Sequence, residues 1–460
     1  MERISKRMRL FAVVIVLFAA GLIILMINFA AHGAEWATKR INSHIYAQGQ
    51  INTAGGIYDR NGTPLAVTKD GKRVFSGDKT TRVATLHAVG DLEGFISTGA
   101  HTNFRNELTG YSSINGVYSL LKYGKGNDIK LSIDAALCKT AYQALDGKNG
   151  TIGVYNYKTG EVLCMVSTPS YDPNHKPENI DGNSKYEAVY LNRFLHGLFT
   201  PGSTFKIVTA ACALKHLPQV QSRTFTCTGE YNTGDGVVIC RTKHGEISFE
   251  EALNVSCNSA FAQLAIELGT ERLRATAQTM GFNKAISVER MPLAMSQFSM
   301  GEMKSLELGW AGVGQHTTLA NPAQMLILMG AIANGGQGVL PKLASERITA
   351  SGKIQPFRLL ESKPLTAIAL EPQIAATLKT MLRSNVTNTY DERGDYDDLQ
   401  LCGKTGTAEV DNKKPHAWFV GFCANPATPY AIVTVAENAG SGQDVAYKAA
   451  AKVLLFLKKK

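Results

Sequence analysis

The feature that most constrains this chain is an uncharged apolar run from Leu10 to Ala31, broken only by Asn28 and preceded by Arg3, Lys6, Arg7 and Arg9. At about 1.5 Å of rise per residue, a helix of that length crosses a hydrocarbon core of about 30 Å. A cleaved signal peptide is the competing reading, and Ala31, Gly33 and Ala34 resemble its cleavage site. Its apolar core, however, ordinarily runs only about 7 to 15 residues, so the spanning length favours an uncleaved anchor. Basic residues precede the run, which places residues 1–9 in the cytoplasm, 10–31 in the membrane and the rest outside. No second run of that length follows, so a single-pass protein is expected.

With 460 residues, 44% of them apolar and 19% charged, the chain can form a large core and a satellite domain. The formal charge of +10 suits anionic envelope polymers or simply a solvated surface. No basic run is interleaved with aromatics into a stacking platform, so no nucleic-acid partner is expected. An exported chain permits disulfides among cysteines 138, 164, 212, 227, 240, 257, 402 and 423 without requiring them. Cys227 and Cys240 bracket the turn-rich TGEYNTGDGVVI, either as a stapled hairpin or as separate thiols, and the spacing leaves both open. No pair of CxxC motifs is present, so no metal is expected.

Residues 32–125 lack long helical periodicity and read as a small mixed pedestal module, with the strand-like GGIYDRNGTPLAVT broken at Asn61-Gly62. From residue 126 the texture changes. A strand leads into a helix capped by Asp134, and TIGVYNYKTGEVLCMVS reads as a hairpin turning at Lys158-Thr159-Gly160. Helical spacing marks 205–214, 250–268 and 322–333, the last stopped by Asn334-Gly335-Gly336. AWFVGFCA and YAIVTVAE are β-rich, and the chain closes on a helix with a basic last turn. This order predicts a sheet split between the start and end of 126–460, with helices around it.

A serine hydroxyl is a weak nucleophile unless a base lies within hydrogen-bond reach. Ser203 and Lys206 meet that requirement if Pro201-Gly202 opens a helix, which places them one turn apart on one face. The lysine must then be neutral, which demands burial or a nearby cation. Alone the pattern is weak, since Ser76 with Lys79 and Ser119 with Lys122 repeat it. Likewise Ser113 with Asn115 repeats the Ser-x-Asn of Ser256 and Asn258, and Lys158 to Gly160 repeats the Lys-Thr-Gly of Lys404, Thr405 and Gly406. Order and context separate the sets. PGSTFK precedes SCN, and GKTGTAE then leads into the final strands, where a strand edge can pair with an extended peptide. Lys404, Thr405 and Thr407 there can bind its terminal carboxylate.

These three motifs, in this order, resemble the signatures of the penicillin-binding proteins and serine β-lactamases. NRFLHGLFTPGSTFK, HGEISFEEALNVSCNSAF, VGQHTTLANPAQMLILMGAIANGG and GKTGTAE followed by HAWFVGF look like the class B penicillin-binding protein transpeptidase domain, over residues 126–460. GGIYDRNGTPLA and RVATLHAVG resemble that class's N-terminal module. The resemblance implies an α+β fold: an antiparallel sheet flanked by helices, an all-helical subdomain, a small pedestal and one transmembrane helix. It implies a peptidoglycan D,D-transpeptidase that needs no cofactor and crosslinks stem peptides ending in D-Ala-D-Ala through an acyl-enzyme on Ser203. Lys206 is then the general base, Ser256 and Lys404 relay protons, and Asn258 holds the substrate amide. Thr405, Gly406 and Thr407 bind substrate, with the N–H groups of Ser203 and Thr407 as the oxyanion hole. β-Lactams would acylate Ser203. Residues 32–125 are too short for a glycosyltransferase domain beside a pedestal, which implies a SEDS-type membrane glycosyltransferase as partner. A β-lactamase, by contrast, needs a water-activating base that this sequence does not place.

Overall fold

A computed structural model describes residues 2–38, 46–47, 50–51, 53–112, 116, 122–357, 364–391 and 394–459. Ser113, Asn115 and Ser119, which carry two of the repeated motifs above, lie outside the described residues. The first helix, α1 (Glu2–Ala37), contains the apolar run, and Arg7–Gly33 is long and apolar enough to cross a membrane. None of its most apolar stretch is buried against the rest of the protein.

The first sheet has six strands, in the order 354–356, 344–348, 128–131, 57–58, 64–69, 72–75. Strands from both sides of residue 126 therefore share one sheet, with Ile57 of the early segment pairing in parallel with Ile129. The helix Lys79–Val89 packs between strand 64–69 of this sheet and the helix 135–145, and Asp78 caps it by accepting from the Thr81 amide. That helix is tied to the larger unit by the buried Arg82–Asp172 ion pair, at 2.7 Å.

The second sheet carries the Lys404–Thr407 segment. Its five strands are β1 (Gly150–Asn156), β2 (Val162–Thr168), β3 (Leu401–Val410), β4 (Lys413–Cys423) and β5 (Tyr430–Ala436). The order β3-β4-β5-β1-β2 is antiparallel throughout, so the chain's two ends meet in the middle and β3 is left as an edge. β1 and β2 are buried along almost their whole length, as expected of strands covered on both faces. The helix 135–145, capped by Asp134, and the C-terminal Lys448–Lys458 pack together on one side.

Helices fill the other side. The largest are α2 (Lys206–His216), α3 (Asn258–Thr279), α4 (Pro322–Ala333) and α5 (Pro372–Thr389). α4 starts where Asn321 caps the Gln324 amide and Pro322 sits in the first turn. It is buried nearly all round, and each fully buried Leu, Ile or Met contributes roughly 1.5–3 kcal/mol.

The expected helix over 250–268 is not continuous. It is two helices, Phe249–Asn254 and α3, separated at Val255–Cys257. Ser256 adopts φ of 56° there, a left-handed conformation that costs a non-glycine residue about 1–3 kcal/mol and is held only by surrounding contacts. The polar interruption in the sequence is thus a chain break between helices.

Candidate active site

The turn that carries Ser203 is held by packing and by backbone hydrogen bonds. Residues Gly202–Phe205 form a 3₁₀ turn that runs into α2 at Lys206. Side chains three apart eclipse in such a turn, which puts Ser203 beneath Lys206 on one face. Phe205 anchors the turn, stacked on Phe298 at 5.5 Å and edge-on to Phe282 at 5.2 Å. The Trp418 indole donates to Thr200 O at 3.0 Å, and the Gly202 amide to Gly314 O at 2.9 Å. Gly202 has φ of 54°, and a Cβ there would meet Thr407 O at 3.0 Å. Only glycine lets the turn approach β3 this closely.

Lys206 is the centre of the site. It is fully buried, and its Nζ lies 3.1 Å from Ser203 Oγ, 2.7 Å from Asn258 Oδ1, 2.6 Å from Ser256 O and 3.2 Å from Ser256 Oγ. Burial, reinforced by the like charge of Lys404, lowers its pKa to about 7. The break at Ser256 explains how one lysine reaches a carbonyl, a hydroxyl and an amide together, since a continuous helix would bury that carbonyl in its own hydrogen bonding. Geometry and electrostatics thus agree: an amine held against a hydroxyl, with half its population able to accept a proton at neutral pH.

The opposite wall is the β3 edge. Lys404 is 1% exposed and its Nζ donates to Thr405 O at 3.4 Å. Gly406 faces the Ser203 turn, where a Cβ would meet Pro201 O at 2.6 Å. Thr407 Oγ1 accepts from the Gly442 amide at 3.0 Å. Ser203, Ser256, Asn258, Lys404, Thr405 and Thr407 all line one cleft of 440 Å³. Folding therefore gathers every proposed site residue, with Lys206 buried behind the cleft and Gly406 at the contact between its walls. The two repeated motifs among the described residues stay outside it. Lys158 is at a hairpin tip, donating to Asn334 Oδ1 at 2.8 Å, and Ser76 and Lys79 flank the start of the helix Lys79–Val89.

Two groups in the site escape sequence reasoning. Tyr390, following α5, has its hydroxyl 2.7 Å from Thr405 Oγ1 and accepts from the Thr405 amide at 3.2 Å. Burial alone would raise its phenol, but the Lys404 charge and hydrogen bonds with Thr405 and Asn385 leave it below the ordinary value. No local pattern marks it, because its partner lies on a strand reached only through the fold. The second group is the flap Ile239 to His244, which forms the far rim of the cleft. All eight cysteines, which fall among the described residues, are free thiols. Cys227 and Cys240 thus bracket a hairpin (230–232 with 237–239) without a bridge.

An antiparallel sheet carrying a Ser-x-x-Lys turn opposite a Lys-Thr-Gly edge strand defines serine–lysine acyl-transfer proteins. Residues 150–455 match the penicillin-binding protein transpeptidase domain, and the chain belongs to the penicillin-binding protein family, in its class B branch. It is 28% identical over 342 residues to the peptidoglycan D,D-transpeptidase PbpA of Mycolicibacterium smegmatis, covering 69% of this chain and 68% of that one. To the peptidoglycan D,D-transpeptidase MrdA of Haemophilus influenzae it is 26% identical over 490 residues, with 93% and 71% covered. The fold is that of M. tuberculosis penicillin-binding protein A in its penicillin G acyl-enzyme complex, with a TM-score of 0.76, 23% identity and 89% and 100% coverage. Pseudomonas aeruginosa PBP2 in complex with WCK 5153 superposes with a TM-score of 0.73 at 26% identity, covering 87% and 95%.

Proposed function

We propose that Ser203 is the nucleophile of a peptidoglycan D,D-transpeptidase and Lys206 its general base. Ser203 Oγ attacks the carbonyl of the penultimate D-alanine while Lys206 takes the hydroxyl proton. The oxyanion that forms is held by the amides of Ser203 and Thr407. The C–N bond then breaks, and the proton that Lys206 took passes through Ser256 and Lys404 to the amine of the departing D-alanine, which leaves Lys206 neutral again. An amine from a neighbouring stem peptide attacks the Ser203 ester and gives its proton to Lys206, which restores the hydroxyl and completes the crosslink. Asn258 holds the stem-peptide amide, and Thr405, Gly406 and Thr407 receive the donor strand, its carboxylate on the two threonine hydroxyls. β-Lactams place a strained amide in the same position and stop at the ester.

The observation that carries this reading is the buried Lys206 amine 3.1 Å from Ser203 Oγ, its pKa lowered to about 7. The exposed apolar α1 and the basic residues before its span support a membrane anchor with a cytoplasmic N-terminus and an outward-facing catalytic unit. Residues 32–125, with the strands they share, act as its pedestal, and a SEDS-type glycosyltransferase supplies the glycan chains. The test is a labelled stem-peptide donor incubated with purified protein, with and without an acceptor amine. Crosslinked product that requires both acceptor and Ser203 supports the proposal; no D-alanine release from either mixture refutes it.

A further inference from the structure

Thr407 receives the donor's carboxylate in the mechanism above, and its hydroxyl must present a proton to do so. A threonine hydroxyl has one proton to give and two lone pairs. Thr407 Oγ1 accepts from the Gly442 amide at 3.0 Å, which occupies a lone pair and leaves the proton free for a ligand in the cleft. Gly442 opens the helical turn Gly442–Tyr447, capped by Ser441 and continued by the helix Lys448–Lys458. The direction of the Thr407 proton is therefore set by where the segment between β5 and that turn lies. Two hydrogen bonds tie the segment to β4: the Gly440 amide donates to Pro415 O at 2.9 Å, and the Asn438 amide to His416 Nδ1 at 3.1 Å. Asn438 has φ of 48°, a left-handed conformation that persists only where contacts enforce it.

We propose that His416 is a positioning residue for Thr407: as acceptor for the Asn438 amide it fixes residues 438–442, and so holds the Thr407 hydroxyl with its proton turned toward the donor's carboxylate. This role rests on the carboxylate reading given above.

His416 opens the HAWFVGF stretch of β4, and the mechanism above leaves it without a task. It lies opposite Ala408 in the β3–β4 register, one pair beyond Thr407 and Ala417, and stands edge-on to Phe199 at 5.5 Å. Because Asn438 brings an N–H, Nδ1 must offer its lone pair, which assigns the ring proton to Nε2. A doubly protonated ring would set one N–H against another and lose the bond. Burial lowers the His416 pKa below the ordinary histidine value. The charged groups acting on it are Glu437, which opposes the shift and is itself paired with Arg193, and Lys413 on its own strand, which adds to it. Phe199 and Ala408 bring no charge. The ring is thus neutral at neutral pH, and the segment is released only in acid.

The test compares benzylpenicillin with its methyl ester, which lacks the negative charge, as acylating agents of the full chain purified in detergent. Intact-protein mass spectra give the two second-order rates. Their ratio reports recognition of the carboxylate, because titration of Lys206 affects both rates and cancels. His416→Phe keeps a ring against Phe199 but removes the acceptor, and should cut the acid-to-ester ratio about tenfold. His416→Asn, whose Oδ1 stands close to the position of Nδ1, should restore most of it. In a chain that already carries Thr407→Val, His416→Phe should change the ratio no further, a result that general loss of structure would not give. The wild-type ratio should fall in acid, and that fall should be absent from His416→Asn. No acylation of the wild type by either compound would refute the Ser203 mechanism itself. A wild type that prefers the acid, with the preference undiminished in His416→Phe, overturns the role of His416 alone. A further fall in the Thr407→Val chain also overturns it, as does a wild-type ratio that stays flat from about pH 4 to pH 8.

Discussion

If Lys206 takes the Ser203 proton, acylation must follow the titration of a displaced amine. Its pKa falls from 10.5 to about 7, a change of about 5 kcal/mol at about 1.36 kcal/mol per unit. An unperturbed lysine would be neutral in about one molecule in 3,000 at pH 7, whereas Lys206 is neutral in about half. The sign follows from burial, which disfavours the ammonium, and from Lys404, whose like charge disfavours it further. The neutral form is the base, so the second-order rate of acylation by a fluorescent β-lactam should rise about tenfold per pH unit below 6 and level off above 8. Lys404→Gln removes the like charge, so its inflection should move to higher pH even as the plateau falls. Lys206→Arg keeps a cation that cannot deprotonate and should lose about 10²–10⁴-fold. A flat profile from about pH 5 to pH 9, or an inflection near the ordinary lysine value of about 10.4, would refute the assignment of Lys206 as base.

Other parts of the structure make separate predictions. Ser203→Ala should leave Tm within a few degrees of wild type and remove the β-lactam adduct from intact-protein mass spectra; an adduct that persists would place the nucleophile elsewhere. Gly202→Ala combines an unfavourable positive φ with a Cβ 3.0 Å from Thr407 O, and denaturant unfolding should show a loss of about 1–2 kcal/mol together with slower acylation. Tyr390→Phe removes the hydroxyl that braces Thr405, so substrate binding should weaken about tenfold with little change in the maximal acylation rate; the reverse split would assign Tyr390 to proton transfer. Asp172→Ala strands the buried Arg82 and should cost about 3–5 kcal/mol by thermal unfolding, most of it recovered when Arg82→Met is added. An unchanged Tm would show that the pair does not join the first sheet's helix to the catalytic unit.

The three motifs are legible in the sequence because each depends on local spacing. Ser203 and Lys206 face the same way in any tight helical turn, and the Lys404–Thr407 segment leads into strands whose β-branched and aromatic content is plain. The hairpin 150–168 and the helix 322–333 are legible for the same reason: periodicity and capping report the dihedral angles of the chain itself. Around Ser256 the local pattern misleads: helical spacing runs through 250–268, whereas the chain breaks between two helices, and only the contact with Lys206 makes the left-handed Ser256 worth its conformational cost.

By itself the sequence determined an apolar N-terminal helix of spanning length, an α+β body and three motifs in the order of one enzyme family. Tertiary structure decided what those motifs can do. Lys206 is an ordinary lysine until burial and Lys404, nearly two hundred positions away, depress its pKa. Tyr390 becomes part of the site only by meeting Thr405. Proton affinity and ligand geometry depend on solvent exclusion and on distances between groups remote in the chain, and neither is encoded in the spacing of neighbours along it.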